Sequence, residues 1–234
     1  MCEHLFVFYT HTHTHTHTHT HTHIVVDVGA NIGIFCLPLA ASLPNAKVIA
    51  VEPHPVACAA LLRNVRSNEL GNVTVVSAAI TDSPGLVRLF NCPTNSGGHR
   101  LSGFSGRRDL EGREVYSVVV PGITLAQLFA ECSVNHCDIL KIDTEGHEVS
   151  VLKSLGDALT PFRNGRGIQA VIAEFGPEGL RAAGSNGDEL ISLMDGHGFK
   201  CEVIQTGQAI SAPEDLPSLK DFEVADLLFA PKEA

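Results

Sequence analysis

Basic residues are scarce in this chain: 16 lysines and arginines stand against 26 aspartates and glutamates, for a net charge of -10 with the histidines neutral. That balance argues against a general nucleic-acid binder, which needs a basic face, and leaves room for a small local basic patch. No apolar run is long enough to cross a bilayer, so no membrane partner is expected. Residues 1–9 have no basic stretch and too short an apolar run for a secretory signal, which makes the cytoplasm the expected compartment. The seven cysteines form no Cys-x-x-Cys pair, and several sit inside apolar runs. They read as small hydrophobes in a reducing compartment, not as a disulfide framework. Cys132, His136 and Cys137 find no fourth ligand nearby in sequence, so no resident metal is expected. Tyrosine is limited to Tyr9 and Tyr116, and neither opens a Tyr-x-x-x-Lys pair, which removes the short-chain type of nicotinamide oxidoreductase.

What is present starts with a strand, a glycine turn and a helix. Ile24-Val25-Val26 leads into Asp27-Val28-Gly29-Ala30-Asn31-Ile32-Gly33, and the apolar Ile34-Phe35-Cys36-Leu37 follows. Glycine lets the backbone come close to a nucleotide, and Asn31 stands where another glycine is common, asparagine being one of the few residues that enters the left-handed region cheaply. One βαβ unit later, the apolar strand 47–52 ends in Glu52. A carboxylate there accepts hydrogen bonds from the two hydroxyls of an adenosine ribose. A nicotinamide enzyme would more often show G-x-G-x-x-G where this chain has G-A-N-I-G.

Two units are expected: residues 1–23, a low-complexity His-Thr segment, and a single α/β domain over 24–234. Residues 10–23 alternate threonine and histidine, as translation of a CA dinucleotide repeat would produce. An extended strand would put those histidines on one face, as a metal binder needs, but with no apolar face to bury, disorder is the expectation. From residue 24 onward strands alternate with helical patterns, which predicts a mainly parallel sheet with helices on both faces. Strands are expected at 24–28, 47–52, 72–78, 138–143, 168–175, 199–205 and 224–230, with a further pair at 86–90 and 115–120. Helices are expected at 32–42, with Pro38 tolerable only near its start, and at 55–68, with Ala59, Leu62 and Val65 as its apolar positions. Others are expected from a Thr124 cap to Cys132, at 147–155, and at 188–197 with Asp188 as N-cap. The long loop 91–112 carries or adjoins Arg100, Arg107, Arg108 and Arg113, as a cover over a polar substrate or as a solvated hairpin tip.

Open parallel sheets bind ligands at the C-terminal ends of their strands, and Asp27, Glu52, Asp143 and Glu174 fall at such ends. Asp143, Glu145 and His147 form a dense polar run directly after a buried strand. Lys141, inside that strand, must find a partner, with Asp27 or Asp143 the natural choices. For an acceptor hydroxyl at these strand ends, a protein has only to align it and take its proton. His147 suits that role because imidazole titrates near neutrality. Asp143 is its rival, as a base or as an oxygen ligand for a divalent cation.

These residues resemble the FkbM family of S-adenosylmethionine-dependent methyltransferases. The resemblance rests on VVDVGANIG at 25–33, VIAVEPHP at 48–55, LLRNV at 61–65, VVSAAITDSPG at 75–85, ITLAQLF at 123–129 and, most specifically, DILKIDTEGHEVSVLKS at 138–154. It implies a Rossmann-like class I methyltransferase fold with seven strands, the last antiparallel. It implies S-adenosylmethionine as cofactor, with Asp27, Gly29, Asn31 and Gly33 along the methionine and ribose, Glu52 on the ribose hydroxyls, and Asp82 near the adenine. The acceptor would be a small-molecule or sugar hydroxyl, with Asp143, His147, Glu145 and Lys141 at the point of transfer. The chain departs from the family pattern in ITLAQLF, which lacks an acidic pair, and in the His-Thr tract before the first strand, which keeps an inactive or cofactor-binding-only methyltransferase-like domain as the alternative reading.

Overall fold

The computed structural model describes residues 22–91, 101, 115–219 and 223–232. Nearly all of the His-Thr tract, the four loop arginines, Cys2 and Cys92 lie outside those residues. The strands are β1 (Ile24–Val28), β2 (Lys47–Val51), β3 (Val73–Val76), β4 (Ala79–Ile80), β5 (Gly85–Phe90), β6 (Ser117–Ile123), β7 (His136–Cys137), β8 (Ile139–Ile142), β9 (Gly167–Ile168), β10 (Val171–Phe175), β11 (Phe199–Val203), β12 (Gln208–Ile210) and β13 (Ala225–Pro231). The α-helices are α1 (Cys36–Ser42), α2 (Pro55–Ser67), α3 (Leu125–Glu131), α4 (Glu148–Lys153), α5 (Pro177–Ala182) and α6 (Gly187–Gly196).

The main sheet has eight strands in the order β12-β11-β13-β10-β8-β1-β2-β3. Strands β3, β2, β1, β8 and β10 pair in parallel. The final strand, β13, slots between β10 and β11 and runs antiparallel to both. Seven strands therefore match the expected topology, and β12 is an addition. It arises because β11 turns back through Gly207, at φ +68°, and pairs with 208–210, covering an otherwise open sheet edge. Strand order reverses between β1 and β8, which makes the C-terminal end of β1 the switch point where ligands bind.

Strand alternation divides the core into two faces. On one, Val26, Val28, Leu140 and Ile142 pack with Leu125, Leu128 and Phe129 of α3, Val149 and Leu152 of α4, Leu180 of α5 and Leu190 and Met194 of α6. On the other, Val25, Val48 and Ala50 meet Cys36 and Ala40 of α1 and Leu61 of α2. A separate three-stranded sheet, β4-β6-β5, stands beside the main one and packs Ala79, Leu89 and Val120 together.

Several local expectations change. Helix α1 starts at Cys36 and not at residue 32, because Asn31 (φ +50°) and Gly33 (φ +95°) hold the preceding segment in turns. Pro38 thus falls in the first helical turn, where its missing N–H has no intrahelical partner to lose. The buried stripe of α2 is Ala57, Cys58 and Leu61, while Ala59 and Leu62 are exposed. The expected stripe was one residue out of register, so only Val65 of the expected set packs inward. The N-cap of α6 is Asn186, whose side chain accepts from the Glu189 amide at 2.8 Å; Asp188 sits in the first turn, where its charge still favours the helix N-terminus. Thr124 caps α3 as expected, in a capping box with Gln127. Helix α5 and the short strands β4, β7 and β9 have too little periodic sequence to be read in advance.

Asn72 ties α1 to the sheet. Its side-chain amide donates to the carbonyls of Ala40, Leu43 and Ala46 at 3.1–3.2 Å, satisfying groups left open at the helix end. Asn72→Ala is expected to cost about 1–3 kcal/mol of stability through those stranded carbonyls, read as a lower midpoint in denaturant with an unchanged slope.

Candidate active site

A cavity of about 250 Å³ opens over the C-terminal ends of the parallel strands. Its walls follow strand order. Ala78, Ala79, Ile80 and Leu89 make an apolar side, Val51, Glu52 and Pro53 come next, then Val28, Gly29 and Asn31, and last Asp143, Thr144, Glu145, His147 and Glu174.

Gly29 determines how tightly this edge is built. Its φ is +83°, and a Cβ there would lie 1.9 Å from the carbonyl oxygen of Asp143. Any side chain would drive the β1 turn and the end of β8 apart. Glu52 then locks the turn. One carboxylate oxygen accepts the amide of Asn31 at 2.9 Å and the other that of His54 at 2.7 Å. Each oxygen keeps a second lone pair, and the side chain still borders the cavity. Burial raises the Glu52 pKa, opposed by those two amide hydrogen bonds.

The loop after β8 is organised by Glu148. A single oxygen of this buried carboxyl accepts from the Thr144 amide (2.9 Å), the Thr144 hydroxyl (3.0 Å) and the Gly146 amide (3.1 Å). Burial raises its pKa against the pull of these bonds. The turn it holds places Glu145 at φ +55° and Gly146 at φ +107°, and a Cβ on Gly146 would lie 2.2 Å from the backbone of Gly179. The turn therefore presents Glu145 and His147 to the cavity in fixed positions.

Charges converge at this end. Lys141 reaches Asp143 at 2.8 Å and Asp27 at 3.9 Å, and its ammonium lies 5.6 Å from the centre of the Phe35 ring. Burial disfavours its charge, but Asp27, Asp143 and Glu174 more than offset that and raise its pKa. Asp27 is wholly buried, with the Cys36 thiol and amide as the hydrogen-bonding groups beside it. Burial raises its pKa and the Lys141 ammonium works against that rise. Burial, then the charges of Asp143, Glu145 and Glu148, push Glu174 up to about 9. His147 moves the other way, lowered by burial and partly restored by Asp82. At neutral pH the cavity thus holds a protonated Glu174 and an uncharged His147. Asp143, Glu145 and Glu174 bring ligand atoms within 4.8 Å of one another, a spacing that suits a cation among the described residues.

The structure brings together Gly29, Asn31, Glu52, Asp143, Glu145 and His147. Asp27, Gly33 and Lys141 lie behind the wall. Gly33 is needed for packing, since a Cβ would meet Leu37 and Leu61. Asp82 is exposed and lines a neighbouring cleft together with Gly146 and His147. The sequence reading placed Glu174 at a strand end without assigning it a role. It missed Thr144, Glu148 and the apolar side; the second acid of Glu-Gly-x-Glu was the available signal for Glu148.

The methyltransferase FkbM domain model matches residues 27–201. The chain belongs to the FkbM methyltransferase family. It is 32% identical over 199 residues to the 31-O-demethyl-FK506 methyltransferase FkbM of Streptomyces tacrolimicus, covering 75% of this chain and 72% of that one. It is 27% identical over 199 residues to methyltransferase sdnD of Sordaria araneosa, covering 75% and 73%. Among solved structures, the FkbM methyltransferase of Methylobacillus flagellatus superposes with a TM-score of 0.51 at 14% identity, covering 89% of this chain but only 43% of that one. The N-terminal domain of human METTL16 gives 0.50 at 13% identity, covering 98% and 68%. These likenesses establish the Rossmann-like class I methyltransferase fold.

The perturbed carboxyl gives a pH dependence with a definite sign. Between about pH 4.5 and 9 the folded chain keeps a proton on Glu174 that the unfolded chain has released. Stability therefore falls as pH rises through that range. Glu174→Gln is expected to remove this part of the fall, seen as a flatter plot of melting temperature against pH. The Gly29→Ala variant is expected to lose several kcal/mol of stability, or to fail to fold, by thermal denaturation.

Proposed function

We propose that this FkbM-family chain uses S-adenosylmethionine and transfers its methyl group to an oxygen, most simply a hydroxyl of a small molecule or sugar. The observation that carries the reading is the order of the cavity walls. The apolar side of Ala79, Ile80 and Leu89 suits a flat base. Glu52, pinned by two backbone amides, offers its remaining lone pairs to ribose hydroxyls. Gly29 and Asn31 line the next stretch, and the polar end of Asp143, Glu145 and His147 remains for the acceptor. The name of the Streptomyces relative, with its O-demethyl substrate, supports oxygen as the atom methylated.

The bound cofactor would supply an activated methyl on sulfur; this chain's residues align the acceptor and take its hydroxyl proton. His147 is uncharged at neutral pH because burial lowers its pKa, so its imidazole is ready to accept that proton. Asp143 is the second candidate base, at the mouth of the cavity and steadied by Lys141. No nucleic-acid partner is proposed, given the net charge of -10. The cytoplasm is the proposed compartment, where the five free cysteines among the described residues stay reduced.

Calorimetric titration with S-adenosylhomocysteine, beside NAD as control, tests the reading. Micromolar-range binding of the homocysteine compound alone is expected. Gly29→Arg and Glu52→Ala should each abolish it. Binding of NAD alone, or unchanged binding in both variants, would refute the proposal.

A further inference from the structure

Lys141 has no direct place in the cavity wall, yet its surroundings are costly to maintain. A lysine inside a buried strand, its side chain 9% exposed, is rarely tolerated without a reason. Here the ammonium sits between two carboxylates on adjacent strands. Asp27 on β1 lies directly opposite Lys141 in the sheet register, behind the cavity, and Asp143 lies in front of it. The Phe35 ring face lies 5.6 Å from the ammonium, a cation–π contact. The arrangement ties the interior of the sheet to a single acid on the cavity surface.

We propose that Lys141 is a positioning residue that aims the Asp143 carboxylate at the cavity and limits how strongly the site holds a positively charged ligand. The inference rests on the S-adenosylmethionine reading above. Acids face this region from every neighbouring strand. Asp27, Glu174 on β10 and Asp226 on β13 act on Lys141, and Glu52, Glu145 and Glu148 act on Asp143 or Glu174. Lys141 is the cation set among them. Without it, the polar end would attract a sulfonium much more strongly than it attracts the neutral thioether left after transfer. A pocket that grips the charged donor too tightly stabilises the starting state over a transition state in which that charge is fading, and so slows the reaction. The ammonium keeps the local field modest while Asp143 stays in place.

The ratio of affinities for S-adenosylmethionine and S-adenosylhomocysteine reads this field, because damage to the fold weakens both ligands alike. Titration of wild type, Lys141→Met and Lys141→Arg measures it without an acceptor. Lys141→Met is expected to shift the ratio about tenfold toward the sulfonium compound, and Lys141→Arg to leave it within about threefold. If Lys141→Met does not fold, Lys141→Gln, which removes the charge but can still donate a hydrogen bond to a neighbouring carboxylate, carries the same expectation. An unchanged ratio in a folded variant that still binds both compounds would overturn the proposal while leaving the cofactor reading intact. Failure of wild type to bind either compound would overturn both.

Discussion

The contact between Gly29 and the backbone of Asp143 sets the rest of the site. The β1 turn and the end of β8 meet with no room for a Cβ between them. The Asp143 amide donates to the Val28 carbonyl at 3.0 Å, which continues the β1–β8 ladder up to that point. Because the two strand ends meet at the place where strand order reverses, the crevice above them lies where an open parallel sheet binds its ligands. Glu52 and Glu148 then act in parallel ways. Each uses a buried carboxyl to gather backbone amides, Glu52 from the turns after β1 and β2 and Glu148 from the turn after β8. Two loops that would otherwise move independently become fixed walls of one cavity.

That economy has an electrostatic consequence. Carboxyls used as backbone anchors are withdrawn from water, and their pKa values rise. Additional acids at the strand ends raise one another further, until Glu174 holds its proton at neutral pH. The chain offsets the accumulation with a proton and with the buried Lys141 ammonium. A site of this kind is polar without being strongly anionic.

Much of the fold was legible in the sequence. The β-branched runs at 24–28, 47–52 and 138–143 are buried on both faces, so they read as continuous apolar strands, and the glycine turn and Glu52 marked the ligand edge. What remained hidden has specific physical causes. The stripe of α2 was misread because apolar residues occupy adjacent positions in 57–62, so two helical registers fit the pattern equally well. The start of α1 was misplaced because Asn31 and Gly33 take left-handed backbone angles that periodicity does not record. Asp27 looked like a ligand-facing acid, yet strand alternation turns it into the sheet, opposite Lys141. Glu174 acquires its role from acids on other strands, and no local sequence pattern carries that information.

The central claim is that Glu52 holds the ribose of an adenosyl cofactor. The most direct test compares S-adenosylhomocysteine with its 2′-deoxy analogue against wild type and Glu52→Gln in one thermodynamic cycle. The account predicts that losing the hydroxyl costs wild type about tenfold or more in affinity and costs Glu52→Gln almost nothing. An equal loss in both proteins would show that the hydroxyl finds its partner elsewhere and would contradict the account.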